Sequence, residues 1–237
     1  MELRVHLLPE LVDPAELAGR TVVVIDVLRA TTTICHALSA GAAAVVPCLE
    51  IEEARNQARE FGSTAVLGGE RRGVRIEGFD FGNSPTEYTP QSVGGRTVVF
   101  TTTNGTKAML RAAAARQILI GAFVNLSALV GTLRRDDYID ILCAGTFGRI
   151  TAEDALLAGA VVDRLSAVEL NDQARLARDA WRATVASKTP LAAVLRECQG
   201  GRNLIAEGLD ADIDTAARID AFAIVPQFDV AACRVTV

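Results

Sequence analysis

Residues 22–33, VVVIDVLRATTT, decide how the rest of the chain is read. Four β-branched apolar residues, Val22 to Ile25, have the composition of a strand buried on both faces of a parallel sheet. Asp26 then emerges at the strand's carboxyl end, the edge where ligands of open α/β sheets bind. Arg29 follows, and Thr31, Thr32 and Thr33 lead into an alanine-rich helix predicted over residues 32–40 and closed by Gly41. Free N–H groups and the dipole at such a helix start favour an anion. One acid, one cation and a phosphate-sized nest fall within eight residues.

Outward from this stretch, strands and helices alternate. Residues 4–8 read as an edge strand and 9–20 as a polar connection. Strands are predicted at 43–48, 65–67, 97–100, 118–120 and 139–143, with helices at 52–61, 125–133 and 153–168, the last capped by Thr151. Such alternation implies parallel pairing with right-handed crossovers, hence an α/β fold with a mostly parallel sheet. From about residue 171 the pattern is mainly helical: 172–185, 190–197, a Gly200-Gly201 break, 203–207 and 212–221, ending in a strand-like 231–237. No composition shift marks a second domain, so residues 1–237 read as one unit with its C-terminal helices packed on the core. Acids at 210, 212, 214 and 220 read as caps and exposed charges.

Three times an apolar strand runs into small, hydroxyl-bearing residues and on into a helix: at 26–33, at 101–106 (TTTNGT) and at 144–151 (AGTFGRIT). Parallel strands would set all three turns on one edge of the sheet, where they would converge. Between them, residues 68–90, GGERRGVRIEGFDFGNSPTEYTP, show little period of either kind, and a loop of that length inside a compact domain is more often functional than idle.

Composition narrows the chemistry. With 24 basic against 29 acidic residues the net charge is −5, which argues against a protein that grips nucleic acid by its phosphates but leaves room for a small anion. Five scattered cysteines without a C-x-x-C pair, and an N-terminus without a basic and apolar leader, read as a cytoplasmic chain with reduced thiols. Apolar runs are strand-sized, too short for a membrane span. The alanine-rich helices make a homodimer an expectation as well. Only two histidines occur, His6 in a strand and His36 within an apolar helix, so phosphohistidine chemistry and a histidine-rich metal centre are not expected.

Carboxylates at strand ends beside hydroxyl-lined nests are what a divalent cation and a phosphate need together. Candidate ligands are Asp26, Glu70, Asp80, Glu153 and Asp154; candidate counter-charges are Arg29, Arg71, Arg75, Lys107 and Arg149. A competing arrangement is Cys143-x5-Arg149, the spacing by which a thiolate phosphatase wraps phosphate, though no histidine precedes the cysteine. A non-catalytic anion-binding subunit is the third reading.

The chain resembles the magnesium-dependent 2-phosphosulfolactate phosphatases of coenzyme M biosynthesis. The resemblance rests on IDVLRATTT (25–33), GGERRGVRIEGFDFGNSPTEY (68–88), TTTNGTKA (101–108), CAGTFG (143–148) with Glu153-Asp154, and a weaker match at 208–220 with Val225-Pro226. It implies a three-layer α/β/α fold, a Mg²⁺ requirement, and hydrolysis of (R)-2-phospho-3-sulfolactate to 3-sulfolactate and phosphate. It also implies that Asp26, Arg29, Glu70 and Arg71 take part in the reaction. Thr31, Thr32, Asn83, Ser84, Thr102, Thr103, Asn104, Gly105, Thr106, Gly145 and Thr146 are the expected substrate-binding residues.

Overall fold

The computed structural model describes residues 1–165 and 169–237. Its first half runs β1 (Glu2–His6), β2 (Thr21–Ile25), α1 (Ala30–Ser39), β3 (Ala44–Pro47), α2 (Ile51–Phe61), β4 (Ala65–Arg71), β5 (Val74–Arg75), α3 (Pro90–Val93), β6 (Thr97–Thr101) and α4 (Gly105–Arg111). There follow β7 (Gln117–Gly121), α5 (Leu126–Leu133), β8 (Tyr138–Cys143), α6 (Ala152–Leu165), β9 (Glu169–Leu170) and α7 (Asp172–Ser187). The remainder is α8 (Leu191–Glu197), α9 (Gln199–Ala206), α10 (Ala211–Ala216), β10 (Gln227–Asp229) and β11 (Arg234–Thr236). The last three residues of the predicted helix 153–168 lie outside the described residues.

The eleven strands form a mostly parallel sheet in the order β5-β4-β6-β3-β11-β10-β7-β2-β8-β1-β9, with helices on both faces. Two parallel groups, β4-β6-β3 and β7-β2-β8-β1-β9, are joined by the antiparallel β10–β11 hairpin. Each junction rests on one residue pair, Val235 with Val45 and Gln227 with Leu119. Three successive antiparallel pairings make the two groups run in opposite senses along the ladder. In a flat sheet their carboxyl ends would lie on opposite edges. Both groups nevertheless share one core with α1 and α4, which holds Val22 and Val24 of β2, Ile120 of β7, Val45 of β3, Phe100 of β6, Ile34 of α1, Met109 of α4 and Phe228 of β10.

The outer faces are covered separately. Val23 and Ile25 of β2 point the other way from Val22 and Val24, as strand alternation requires, and pack with Leu129 of α5, Leu157 and Val161 of α6 and Trp181 of α7. Val46 and Val99 of the second group pack with Ala54 of α2, Ile76 and Phe79.

Several expectations are corrected. The strand at residues 2–6 is not at the edge, since β9 adds two residues beyond it. The aperiodic 68–90 segment begins as strand: β4 continues to Arg71 and turns through Arg72, at φ 54°, and Gly73 into β5. That tight hairpin carries no Asn-Gly signal, so its period was hidden. Gly200-Gly201 is not a break but the first turn of α9, where a Cβ on Gly200 would lie 2.2 Å from Glu153 Oε1 and one on Gly201 2.0 Å from the Leu195 carbonyl. The tail ends in two strands at the middle of the sheet.

Candidate active site

Asp26 begins the loop after β2, 8% exposed, and its position is fixed locally. The Ala30 N–H donates to Asp26 Oδ1 at 3.2 Å, and the Asp26 N–H donates to Thr31 Oγ1 at 3.0 Å. The hydroxyls of Thr31 and Thr32 donate to the carbonyls of Asp26 (2.9 Å) and Val27 (2.8 Å), and that of Thr33 to the Asn83 carbonyl at 2.8 Å. These threonines are buried and hold backbone; they do not line the cleft. Their hydroxyls shape the turn that presents Asp26.

The cleft beside Asp26 has a volume of about 520 Å³. Its walls come from both sheet groups: Asp26 and Arg29 after β2, Thr146 and Phe147 after β8, Thr102, Thr103 and Asn104 after β6, and Glu70, Arg72 and Gly73 from the β4–β5 hairpin. Contact between the groups is close, since a Cβ on Gly105 would lie 2.6 Å from the Ala30 Cβ and 3.0 Å from Asp26 Oδ2. The expected convergence of three turns therefore occurs, although β6 does not run in the sense of β2 along the ladder.

Glu70 is locked in place. Its Oε2 accepts from the Gly73 N–H at 2.6 Å and its Oε1 from the Thr103 N–H (2.9 Å) and hydroxyl (3.0 Å). Arg29 is buried, donating to Asp212 Oδ2 at 2.8 Å and to the Gly73 carbonyl at 2.9 Å. Asp212 also accepts from the Ser84 hydroxyl, which puts Ser84 behind Arg29 rather than in the cleft. Asn83 does line the cleft, and its buried Oδ1 has no partner among the described residues.

Glu153 and Asp154 stand in the first turn of α6, both buried. Asp154 accepts from the Val27 N–H at 2.8 Å and the Gly145 N–H at 3.0 Å, so it ties the loop after β2 to the loop after β8. Glu153 Oε1 accepts from the Gly200 N–H at 3.0 Å, while its Oε2 is buried without a partner among the described residues. Burial first, then the neighbouring Asp154 and Glu70, push the Asp26 carboxyl up to about 8, partly offset by the Ala30 N–H and Arg29. Asp154 is pushed up to about 7 by burial and by Glu153, and Glu153 is raised chiefly by burial.

Other expected residues stand elsewhere. Asp80 lies outside the cleft and accepts from the Leu67 N–H at 2.8 Å. Arg71 turns away to the carbonyls of Glu70 (2.8 Å) and Leu49 (2.7 Å) and the hydroxyl of Thr101 (2.9 Å). The adjacent Arg72 lines the cleft instead. Thr106 is buried, its hydroxyl 3.4 Å from that of Thr102. The Cys143 thiol ends a fully packed strand at 1% exposure and is pushed well above its usual value by burial and Asp154. Arg149 is exposed beyond a turn and lines no part of the cleft, so this geometry gives no thiolate nucleophile.

The helix predicted over 203–207 belongs to α9, but sequence reading missed that α9 starts at Gln199 and that Gly200, Asn203, Leu204 and the capping Glu207 close the cleft. Among the described residues no three His, Cys, Asp or Glu side chains form a ready metal cage, and no helix is long and apolar enough to cross a membrane.

A family model described as 2-phosphosulpholactate phosphatase matches residues 6–230. The chain is 43% identical over 224 residues to a probable 2-phosphosulfolactate phosphatase of Symbiobacterium thermophilum, covering 92% of this chain and 95% of that one. It is 38% identical to the similarly named protein of Clostridium acetobutylicum (89% and 90% covered) and 40% identical to that of Thermotoga maritima (87% and 88%). Matched over almost its whole length, including every segment that walls the cleft, the chain belongs to the 2-phosphosulpholactate phosphatase family.

Proposed function

We propose that the protein is a Mg²⁺-dependent phosphatase that hydrolyses (R)-2-phospho-3-sulfolactate to 3-sulfolactate and inorganic phosphate. The observation that carries this reading is the buried Asp26 carboxylate at a polar cleft walled by strand ends from both sheet groups, in a chain whose relatives are named for that ester. Mg²⁺ is commonly held by one or two carboxylates, waters and substrate phosphate oxygens rather than by an all-protein cage. Asp26 and Glu70 are a donor set of that kind, and the repulsion from Asp154 and Glu70, which adds to burial in lifting Asp26 to about 8, is charge that a divalent cation offsets. The bound ion supplies Lewis acidity toward a phosphoryl oxygen.

The chain's own residues do the rest. Arg29, held by Asp212 and the Gly73 carbonyl, and Arg72 offset negative charge on the phosphoryl group. Thr102, Asn104 and Asn83 offer polar groups to the bound ester. A water oxygen bonds to phosphorus as the bond to the ester oxygen breaks, and that oxygen leaves protonated as the hydroxyl of 3-sulfolactate. Asp154 holds the loops of Asp26 and Thr146 in register while this happens.

The test is phosphate release from 2-phospho-3-sulfolactate with Mg²⁺ and with a chelator. Turnover that a chelator abolishes and Mg²⁺ restores is the expected result. Full activity in chelator contradicts the metal assignment, and no release from this ester beside rapid release from unrelated esters contradicts the substrate.

A further inference from the structure

Next to the cleft lies a second recess of about 250 Å³ that the reaction as described does not use. It shares Thr103, Asn104 and Phe147 with the main cleft, so the two adjoin along one wall. Its remaining charged lining is Lys107, Arg111 and Glu10. Asn104, Lys107 and Arg111 stand three and four residues apart, which sets them in one stripe along α4 leading away from Asp26.

Charge separates the two spaces. The main cleft presents Asp26, Glu70 and Glu207 against Arg29 and Arg72, and Arg29 is already paired with Asp212. Positive charge in excess is found in the recess. There Lys107 makes no ion pair or hydrogen bond among the described residues, and Arg111 is held through one nitrogen by the Val12 carbonyl at 2.8 Å while its buried Nε has no partner. An unpaired buried guanidinium nitrogen beside an unpaired ammonium calls for an anion.

We infer that this recess is an anion subsite, in which Lys107, backed by Arg111, receives the anionic group of the substrate that is not hydrolysed, a sulfonate or a carboxylate. The inference rests on the proposed function and deepens it. The ester carries three anionic groups on a three-carbon frame, more negative charge than the main cleft can offset. Lys107 stands three residues along α4 from Asn104, about 4.5 Å of helix axis, which a short frame lying across the shared wall can span. Arg111 is a further turn away, so it supplies charge and fixes the depth of the subsite while Lys107 makes the contact.

The test compares Lys107→Met and Lys107→Arg with the unaltered protein on three esters: 2-phospho-3-sulfolactate, 2-phospholactate, which lacks the sulfonate, and the corresponding 2-phosphosulfonate without the carboxylate. Lys107 is solvent-exposed, so both variants retain the fold. On the full ester Lys107→Met should raise KM by about tenfold to a hundredfold with kcat little changed, the loss of one charge-assisted hydrogen bond, and Lys107→Arg should recover most of it. The KM effect should vanish on whichever truncated ester lacks the group bound, which identifies that group. An equal effect on all three esters, or none on the full one, overturns the subsite while leaving the phosphatase reading intact. If the unaltered protein releases phosphate from none of the three, the phosphatase reading fails and the subsite with it.

Discussion

Asp26 carries a carboxyl pushed up to about 8 by burial and by its acidic neighbours, and Asp154, in the adjoining helix turn, is pushed up to about 7. For a carboxyl raised on folding, the native state holds the proton more tightly than the unfolded chain does. Stability is then full below the ordinary carboxylate range and is lost as pH rises through the folded value. With divalent cations chelated, Tm should therefore fall between about pH 5 and about pH 8.5, and Asp26→Asn should make the fall shallower. A flat profile in the unaltered protein would mean that these acids are not buried together. Asp26 was legible in sequence because an acid after a run of buried β-branched residues has few places to go. Thr31 and Thr32 were not, since whether a hydroxyl meets ligand or backbone depends on partners five residues away, here the carbonyls of Asp26 and Val27. Arg71 and Arg72 differ only by the turn between them, which sends one guanidinium to Leu49 and sets the other on the cleft.

At the level of elements, the site depends on how closely α4 approaches α1. The first residue of α4 is Gly105, and any Cβ there meets Ala30 at 2.6 Å and Asp26 Oδ2 at 3.0 Å. Gly105→Ala should cost about 1–3 kcal/mol of stability by urea denaturation and lower kcat/KM by about a hundredfold, because a displacement near 1 Å at a reacting group has that effect. Unchanged kcat/KM with the predicted loss of stability would separate the α1–α4 contact from catalysis. Strand–helix alternation made most elements readable, yet two signals misled. Gly200-Gly201 looked like a stop, whereas those glycines let α9 start hard against Glu153 and Leu195. The hairpin from Glu70 to Arg75 was hidden by its Arg72-Gly73 turn.

Across the whole molecule, the site exists because two groups of parallel strands with opposite senses along the ladder are joined at a short C-terminal hairpin and share one core with α1 and α4. The fold class followed from local pattern, but strand order did not, because pairings such as Val235 with Val45 join residues far apart in the chain and leave no periodic trace. Close packing of α1 on α4 sets Asp26 of one group against Gly105 of the other and makes a single cleft of what a flat sheet would place on opposite edges. The central claim is that phosphate release takes place at this junction and depends on Asp26. Its most direct test is phosphate release from 2-phospho-3-sulfolactate by Asp26→Asn, measured beside its thermal unfolding. Turnover reduced to background in a protein that still melts cooperatively is the expected result, and appreciable turnover by the folded variant would contradict it.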